Sequence, residues 1–309
     1  MKITPGRLAA PAVVLAVAIF FAATGIANAG SPPPLCSNQI IACGCTIAAP
    51  GNYTVENDLD AAQGLTLKGG CIDITGQNIT LQVNHHIFGP GSPDCMTSNP
   101  KRNAGIGIHV FSTAARVSIF VPVSCGWNYG AESEGEEISW DESASLYDNV
   151  GFLFNNATSS SCTSCAAESN ITGIEIAGGS GNSFAGGIVA SNSQYGFWLN
   201  GTQNNTFSAI DSLVNGIAGF YLGCSSTGNV KPSIPCTTTP TTGNSLSSSF
   251  AALNSKYGIA VEKGSIYNQF LDNQAAMDTK VDIIDGNGNC IYNQYSTDVF
   301  TTKSPKCIE

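Results

Sequence analysis

YGIAVEKGSIYNQF, residues 257–270, says in outline what YGFWLNGTQNNTF says at residues 195–207. Each opens on Tyr-Gly followed by alternating apolar residues, and nine or ten residues after the Gly each reaches Asn-x-aromatic. The opening recurs as a register at Gly107, Gly130, Gly151, Gly173, Gly196, Gly219 and Gly258, with Val281 in the next slot. The steps are 23, 21, 22, 23, 23, 39 and 23 residues. The long step holds the Cys224–Cys236 segment and reads as an inserted loop of 16 residues at about 224–240. A second register runs beside the first: Asn182, Asn205, Asn244, Asn268 and Asn293, each two residues before Phe184, Phe207, Leu246, Phe270 and Tyr295. Self-similarity at this period marks stacked repeats.

Period-two alternation with Gly and Asn punctuation is strand chemistry, and no unit carries a helical face of three turns. A unit of some 23 residues has room for three short strands and three turns. Parallel stacking sets equivalent positions ~4.8 Å apart. The residues one and three after each Gly then form inward ladders, Phe152/Phe154, Ile174/Ile176, Phe197/Leu199, Phe220/Leu222 and Ile259/Val261. The Phe184–Tyr295 series forms another. The Gly register and the Asn column, as at Gly258 and Asn268, are expected to make the turns, Asn taking left-handed positions and bonding along the stack.

With those registers the chain resembles a right-handed parallel β-helix protein of the pectate-lyase-like superfold. More narrowly, it resembles exported proteins with NosD-like β-helix repeats. GCTIAAPGNYTVENDL, CIDITGQNITLQVNHHIFGPG and DGNGNCIYNQY resemble that group's end segments. The resemblance covers residues 70–297 as an all-β solenoid; because a stack needs its ends covered, 30–69 is expected as an N-terminal segment and cap and 298–309 as a closing tail. It also supplies the handedness, in line with the rule for parallel crossovers. Asp282 stands where an inward apolar residue is expected, so coil termination is expected near it.

Residues 1–29 read as a signal peptide: Lys2 and Arg7, an apolar run from Leu8 to Ala23, then Ala27-Asn28-Ala29. No later stretch reads as a membrane span, so the expected location is secreted, extracellular or periplasmic. All 12 cysteines lie beyond Ala29, which favours disulfides; Cys224/Cys236 and Cys290/Cys307 are the preferred pairs. Cys162-x-x-Cys165 reads as a structural bridge, having no second CxxC and no neighbouring His. The chain holds 12 Lys+Arg and 22 Asp+Glu; removing Lys2 and Arg7 leaves 10 against 22, a net charge of −12. That charge argues against nucleic acid or an anionic membrane as partner.

The outward column, two residues after each Gly, reads His109, Glu132, Leu153, Glu175, Trp198, Tyr221, Ala260 and Ile283. Trp198 and Tyr221 on adjacent coils, with Glu175 beside them, suit the flat C–H faces of sugar rings. The competing reading is that the inserted loop covers both rings, since exposed aromatic patches are rare without a partner. The coil GAESEGEEISWDES carries Glu132, Glu134, Glu136, Glu137, Asp141 and Glu142 over weak inward residues, Ala131 and Ser133. A solvated acidic face is the plainer reading. The alternative is a Ca²⁺ site at Glu132, Glu134 and Glu136, with Arg116, Glu134 and Asp141 as the catalytic set of a polysaccharide lyase. Hydrolysis by a carboxylate pair is a further form of that alternative. His85-His86 is assigned a turn-stacking or hydrogen-bonding role rather than metal binding, since adjacent strand residues point to opposite faces.

The sequence therefore points to a non-enzymatic exported β-helix that offers an elongated surface to polysaccharide or cell-envelope glycan. No cofactor is expected, and Ca²⁺ enters only with the lyase reading. The alternatives are a polysaccharide lyase or glycoside hydrolase acting in a groove, and a structural or adhesive module. The fold by itself does not choose among them.

Overall fold

A computed structural model describes residues 33–61, 69–90, 95, 105–223, 239–288, 291–306 and 308. The signal-peptide segment, Cys224, Cys236, Cys290 and Cys307 lie outside the described residues. The described chain winds into three sheets of 11, 10 and 11 strands, and every strand pair is parallel. Each coil gives one strand to each sheet, as Ser183–Ala185, Ile188–Ala190 and Tyr195–Asn200 do in succession. It is a right-handed parallel β-helix. No helix occurs among the described residues, and none is long and apolar enough to cross a membrane.

The inward ladders follow the predicted register. Phe152, Ile174, Phe197, Phe220 and Ile259 are paired in sequence along the third sheet, and Phe184, Phe207, Leu246, Phe270 and Tyr295 along the first. Their interior members merge into one core along the axis. Phe184 stacks on Phe207 at 5.0 Å between centroids, and Phe270 on Tyr295 at 4.8 Å. The 16 extra residues fall between the strands Ala218–Leu222 and Ser245–Ser247 without disturbing the pairing, since Phe207 still sits on Leu246.

Three expectations are corrected. The Gly register does not make turns. Gly196 lies inside Tyr195–Asn200, and a Cβ there would stand 2.2 Å from Ser212 Oγ and 2.6 Å from the carbonyl of Gly219. Glycine is needed because the second and third sheets meet at that corner. Nor does the Asn column supply the left-handed turns. Those fall one residue earlier, at Asn204 (φ 53°) and Tyr267 (φ 59°), while Asn205 and Asn268 face inward and bond along the axis. Finally, Val281 pairs with Tyr257 rather than with Gly258, so Asp282 takes the glycine slot and Asp285 the inward one. Asp282 binds Thr302 of the tail through both backbone and side chain. Asp285 accepts from Asn287, Asn293 and the Tyr295 hydroxyl, which burial pushes well above the ordinary tyrosine range.

Sheet pairing also extends past 70–297. Gln39–Ile40, Cys45–Ile47 and Gly51–Val55 already belong to the sheets, and Val299–Phe300 and Lys303–Ser304 add the last strands of two of them. Four disulfides join described residues: Cys36–Cys45, Cys43–Cys71, Cys95–Cys125 and Cys162–Cys165. The last is the bridge expected from the CxxC. Cys162 occupies the rung between Trp140 and Phe184, so the bridge packs in the core.

A second Asn ladder, Asn170, Asn192, Asn215 and Asn254, lines the other side of the interior, each Oδ1 accepting the backbone N–H of the preceding coil. Asp278 takes the next position, accepting from the backbone and the amide of Asn254, while its other oxygen makes no hydrogen bond. Burial pushes its carboxyl up from 3.8 to about 6. A carboxyl whose pKa is raised in the folded state favours folding when protonated. That contribution is present below the unfolded value and is lost as pH rises through about 6. Asp278→Asn should therefore stabilise the fold at pH 7 by about 1 kcal/mol, a figure discounted for solvent reaching the half-buried group. It should change little at pH 4. Urea midpoints at both pH values check this; an equal effect at both would assign the gain to something other than the proton.

Candidate functional site

The outer face of the third sheet carries one column from Asp73 through His109, Glu132, Leu153, Glu175, Trp198, Tyr221 and Ala260 to Ile284. Asp73 is the member that sequence reading missed, because no Gly marks its coil; Ile284 replaces the expected Ile283. Trp198 and Tyr221 stand on adjacent rungs as expected. They are not open to solvent, however: Glu175, Trp198 and Tyr221 are 0%, 1% and 3% exposed. Trp198 donates its indole N–H to the Gly223 carbonyl, and both rings pack on Tyr195. With Ile217, Ala218 and Ala260 they make an apolar cluster separate from the coil interior. These aromatic faces are engaged by protein, which corrects the reading of Trp198 and Tyr221 as exposed sugar platforms. Most of the inserted loop expected to cover them, residues 224–238, lies outside the described residues.

The other end of the column is polar. His109 Nε2 lies 3.9 Å from Glu132 Oε2 and 3.8 Å from Glu134 Oε2, and its Nδ1 lies 3.9 Å from Asp73 Oδ1. The Asn155 amide donates to Oε1 of both Glu132 and Glu134, at 3.3 and 3.1 Å. The Gly70 N–H holds Asp73 Oδ1 at 2.6 Å, and Phe111 covers one face of the imidazole. Burial pushes the Asp73 and Glu132 carboxyls above their ordinary values. Neither ring nitrogen of His109 has a hydrogen-bond partner.

The rest of the acidic coil scatters. Carboxylates two apart share a face only within one strand, and Gly135 turns the chain between Tyr129–Ser133 and Glu136–Asp141. Glu136 is therefore exposed on the first sheet, away from Glu132 and Glu134. Ala131 and Ser133 do point inward, and Trp140 fills the space beneath them, donating its indole N–H to Ser133 Oγ at 2.8 Å. Arg116 is held by Asn78 and Gln77, level with Glu137. Asp141 pairs with Phe120, four positions and so ~13 Å further along the strands. Arg116, Glu134 and Asp141 do not converge, and the lyase set is not assembled from them. His85 and His86 both approach Asp58, at 3.6 and 3.3 Å, because the strand His86–Phe88 begins only at the second of them. The backbone N–H and ring of His86 hold the Asp58 carboxyl below its usual range.

The first sheet presents a different surface. One outward column runs unbroken from Asn52 to Gln294, and every member bears a hydroxyl or an amide. Its central members are Ser139, Ser161, Ser183, Thr206, Ser245 and Gln269, all half-buried or exposed. Nine steps of ~4.8 Å make a row of ~43 Å. Sequence reading overlooked it because Ser, Thr and Gln look like ordinary solvated strand residues. The signal was their recurrence one residue before each aromatic rung.

No family model matches the chain, and no curated protein is similar to it. Solved structures do match. The Dettilon tailspike protein superposes with a TM-score of 0.60 at 14% identity, over 80% of this chain and 55% of the tailspike. The chain thus spans about half the length of that protein. The periplasmic alginate epimerase AlgG gives a TM-score of 0.50 at 11% identity, over 83% of this chain and 70% of the epimerase. At such identities the likeness shows the fold alone.

Proposed function

We propose that this is an exported β-helix protein that binds polysaccharide along the outer face of its first sheet and does not cleave it. The uncharged ladder from Asn52 to Gln294 carries this reading. A polyhydroxylated chain needs many donors and acceptors in a row, and hydroxyls and amides serve as both. Repetition at ~4.8 Å lets one extended polymer meet equivalent groups on successive coils, so weak contacts add through multivalency. The four disulfides and the leader-like first 29 residues support export. An alginate epimerase built on the same fold is in keeping with a glycan partner.

Purified protein should be retained by at least one member of a panel of neutral and uronate polysaccharides in affinity electrophoresis. Ser183→Arg combined with Thr206→Arg should weaken that retention about tenfold or more, the loss of roughly 1.4 kcal/mol of contact. Leu253→Arg, at an exposed turn after the second sheet, should leave it unchanged. Chromatography of the polymer should show no new products. Retention by none of the panel, equal retention of the double variant, or release of oligosaccharides would each overturn the reading.

A further inference from the structure

The polar end of the third-sheet column has a use independent of any glycan. We propose that Nε2 of His109 and one carboxylate oxygen each from Glu132 and Glu134 form a binding site for a divalent first-row transition metal such as Zn²⁺. The three ligand atoms lie within 4.8 Å of one another. A tetrahedral Zn²⁺ with bonds of about 2.0–2.2 Å sets its ligand atoms about 3.3 Å apart. The observed separations of 3.9 and 3.8 Å from Nε2 close to that by small side-chain rotations.

Two further features point to a cation. His109 is only 9% exposed, and both ring nitrogens are buried without a hydrogen-bond partner. Such a side chain is costly in a fold unless something binds it. The surroundings are also arranged as an outer shell. Asp73 faces Nδ1 at 3.9 Å, where a carboxylate that closed to hydrogen-bond distance on metal binding would fix the imidazole tautomer and leave Nε2 to the metal. Asn155 ties down Oε1 of both glutamates and so turns both Oε2 atoms toward Nε2. Three carboxylates around one imidazole leave negative charge in a buried place, and no Lys or Arg among the described residues pairs with them.

The donor set selects the class of metal. Ca²⁺ takes six to eight oxygens, and two glutamates with half their oxygens held by Asn155 supply too few. Imidazole nitrogen with carboxylate oxygen suits Zn²⁺ and its neighbours, with a fourth position left for water. This differs from the Ca²⁺ site at Glu132, Glu134 and Glu136, because Glu136 is on another sheet and His109 replaces it.

The test uses untagged full-length protein, stripped with chelator and with any thiols blocked by iodoacetamide. Equilibrium dialysis against Zn²⁺ should load about one equivalent, and Zn²⁺ should raise the thermal midpoint. Glu134→Gln and His109→Ala should each weaken binding about tenfold or more. Glu134 has a partly exposed side chain, so its variant should keep the metal-free thermal midpoint of the wild type. Co²⁺ should give the visible absorption of a four-coordinate site, absent in His109→Ala. Three results would overturn the proposal: no Zn²⁺ bound, equal loading of the wild type and Glu134→Gln, or displacement of Zn²⁺ by an equal concentration of Ca²⁺.

Discussion

Phe207→Ala should lower the free energy of unfolding by about 3–5 kcal/mol. Phe207 is 2% exposed and lies where two ladders meet, stacked on Phe184 and edge-on to Phe197 at 5.6 Å. Truncation removes apolar area that a fully buried ring withdraws from water and leaves a hole. The hole would not collapse easily. The neighbouring rungs Phe184 and Leu246 are fixed by sheet pairing on either side, and a void lined by Leu199, Phe220 and Phe270 already adjoins the ring. Phe207→Leu should cost markedly less because it keeps most of the volume. Denaturant titration followed by tryptophan fluorescence reads both variants. An effect below about 1 kcal/mol for the Ala variant would mean that the aromatic column is not a continuous core.

Breaking the polar column should be nearly as damaging, at about 2–4 kcal/mol for Asn205→Ala. Asn205 is fully buried. Its Oδ1 accepts from the backbone N–H and the amide of Asn182, at 2.9 and 3.0 Å, and its own amide donates to Thr202 and Asn244. Alanine leaves the buried Asn182 N–H without an acceptor, and an unsatisfied buried donor costs its full desolvation. Asn205→Leu separates this from packing. Leucine restores the volume but no acceptor, so it should be as unstable as alanine. A leucine variant of wild-type stability would show that the column contributes shape rather than hydrogen bonds.

Much of this architecture was legible because stacking makes each coil a copy of the last. The spacing from Gly196 to Gly219 and from Asn205 to Asn244 carries the third- and first-sheet registers directly. What misled was the role of those residues. Glycine suggested a turn, whereas the constraint at Gly196 is the closeness of Ser212 and Gly219, which only the folded corner reveals. At Asp282 a one-residue offset moved a carboxylate from the inward slot to the glycine slot, because Val281 resembles the start of a repeat but pairs with Tyr257.

The site was less legible, for related reasons. Alternation identified Trp198 and Tyr221 as outward, and they are, but outward from a sheet is not the same as exposed. Period two also made Glu132, Glu134 and Glu136 look like one face; the turn at Gly135 lies between the second and third and sends Glu136 to another sheet. His109 and Glu132 are 23 residues apart in sequence and adjacent in the stack. That pair was present in the outward column, and only the surrounding Asp73 and Asn155 show that it is organised.

The most direct test of polysaccharide binding along the first sheet is hydroxyl-radical footprinting with and without a saturating polymer that the protein retains. Phe120 and Leu271 lie in the first-sheet column adjoining the polar ladder, and Val214, Leu253 and Met277 are exposed at turns after the second sheet. Polymer should protect Phe120 and Leu271 from oxidation and leave Val214, Leu253 and Met277 as reactive as before. Protection of the second group with none of the first would place the polymer elsewhere and contradict the assignment of the first sheet.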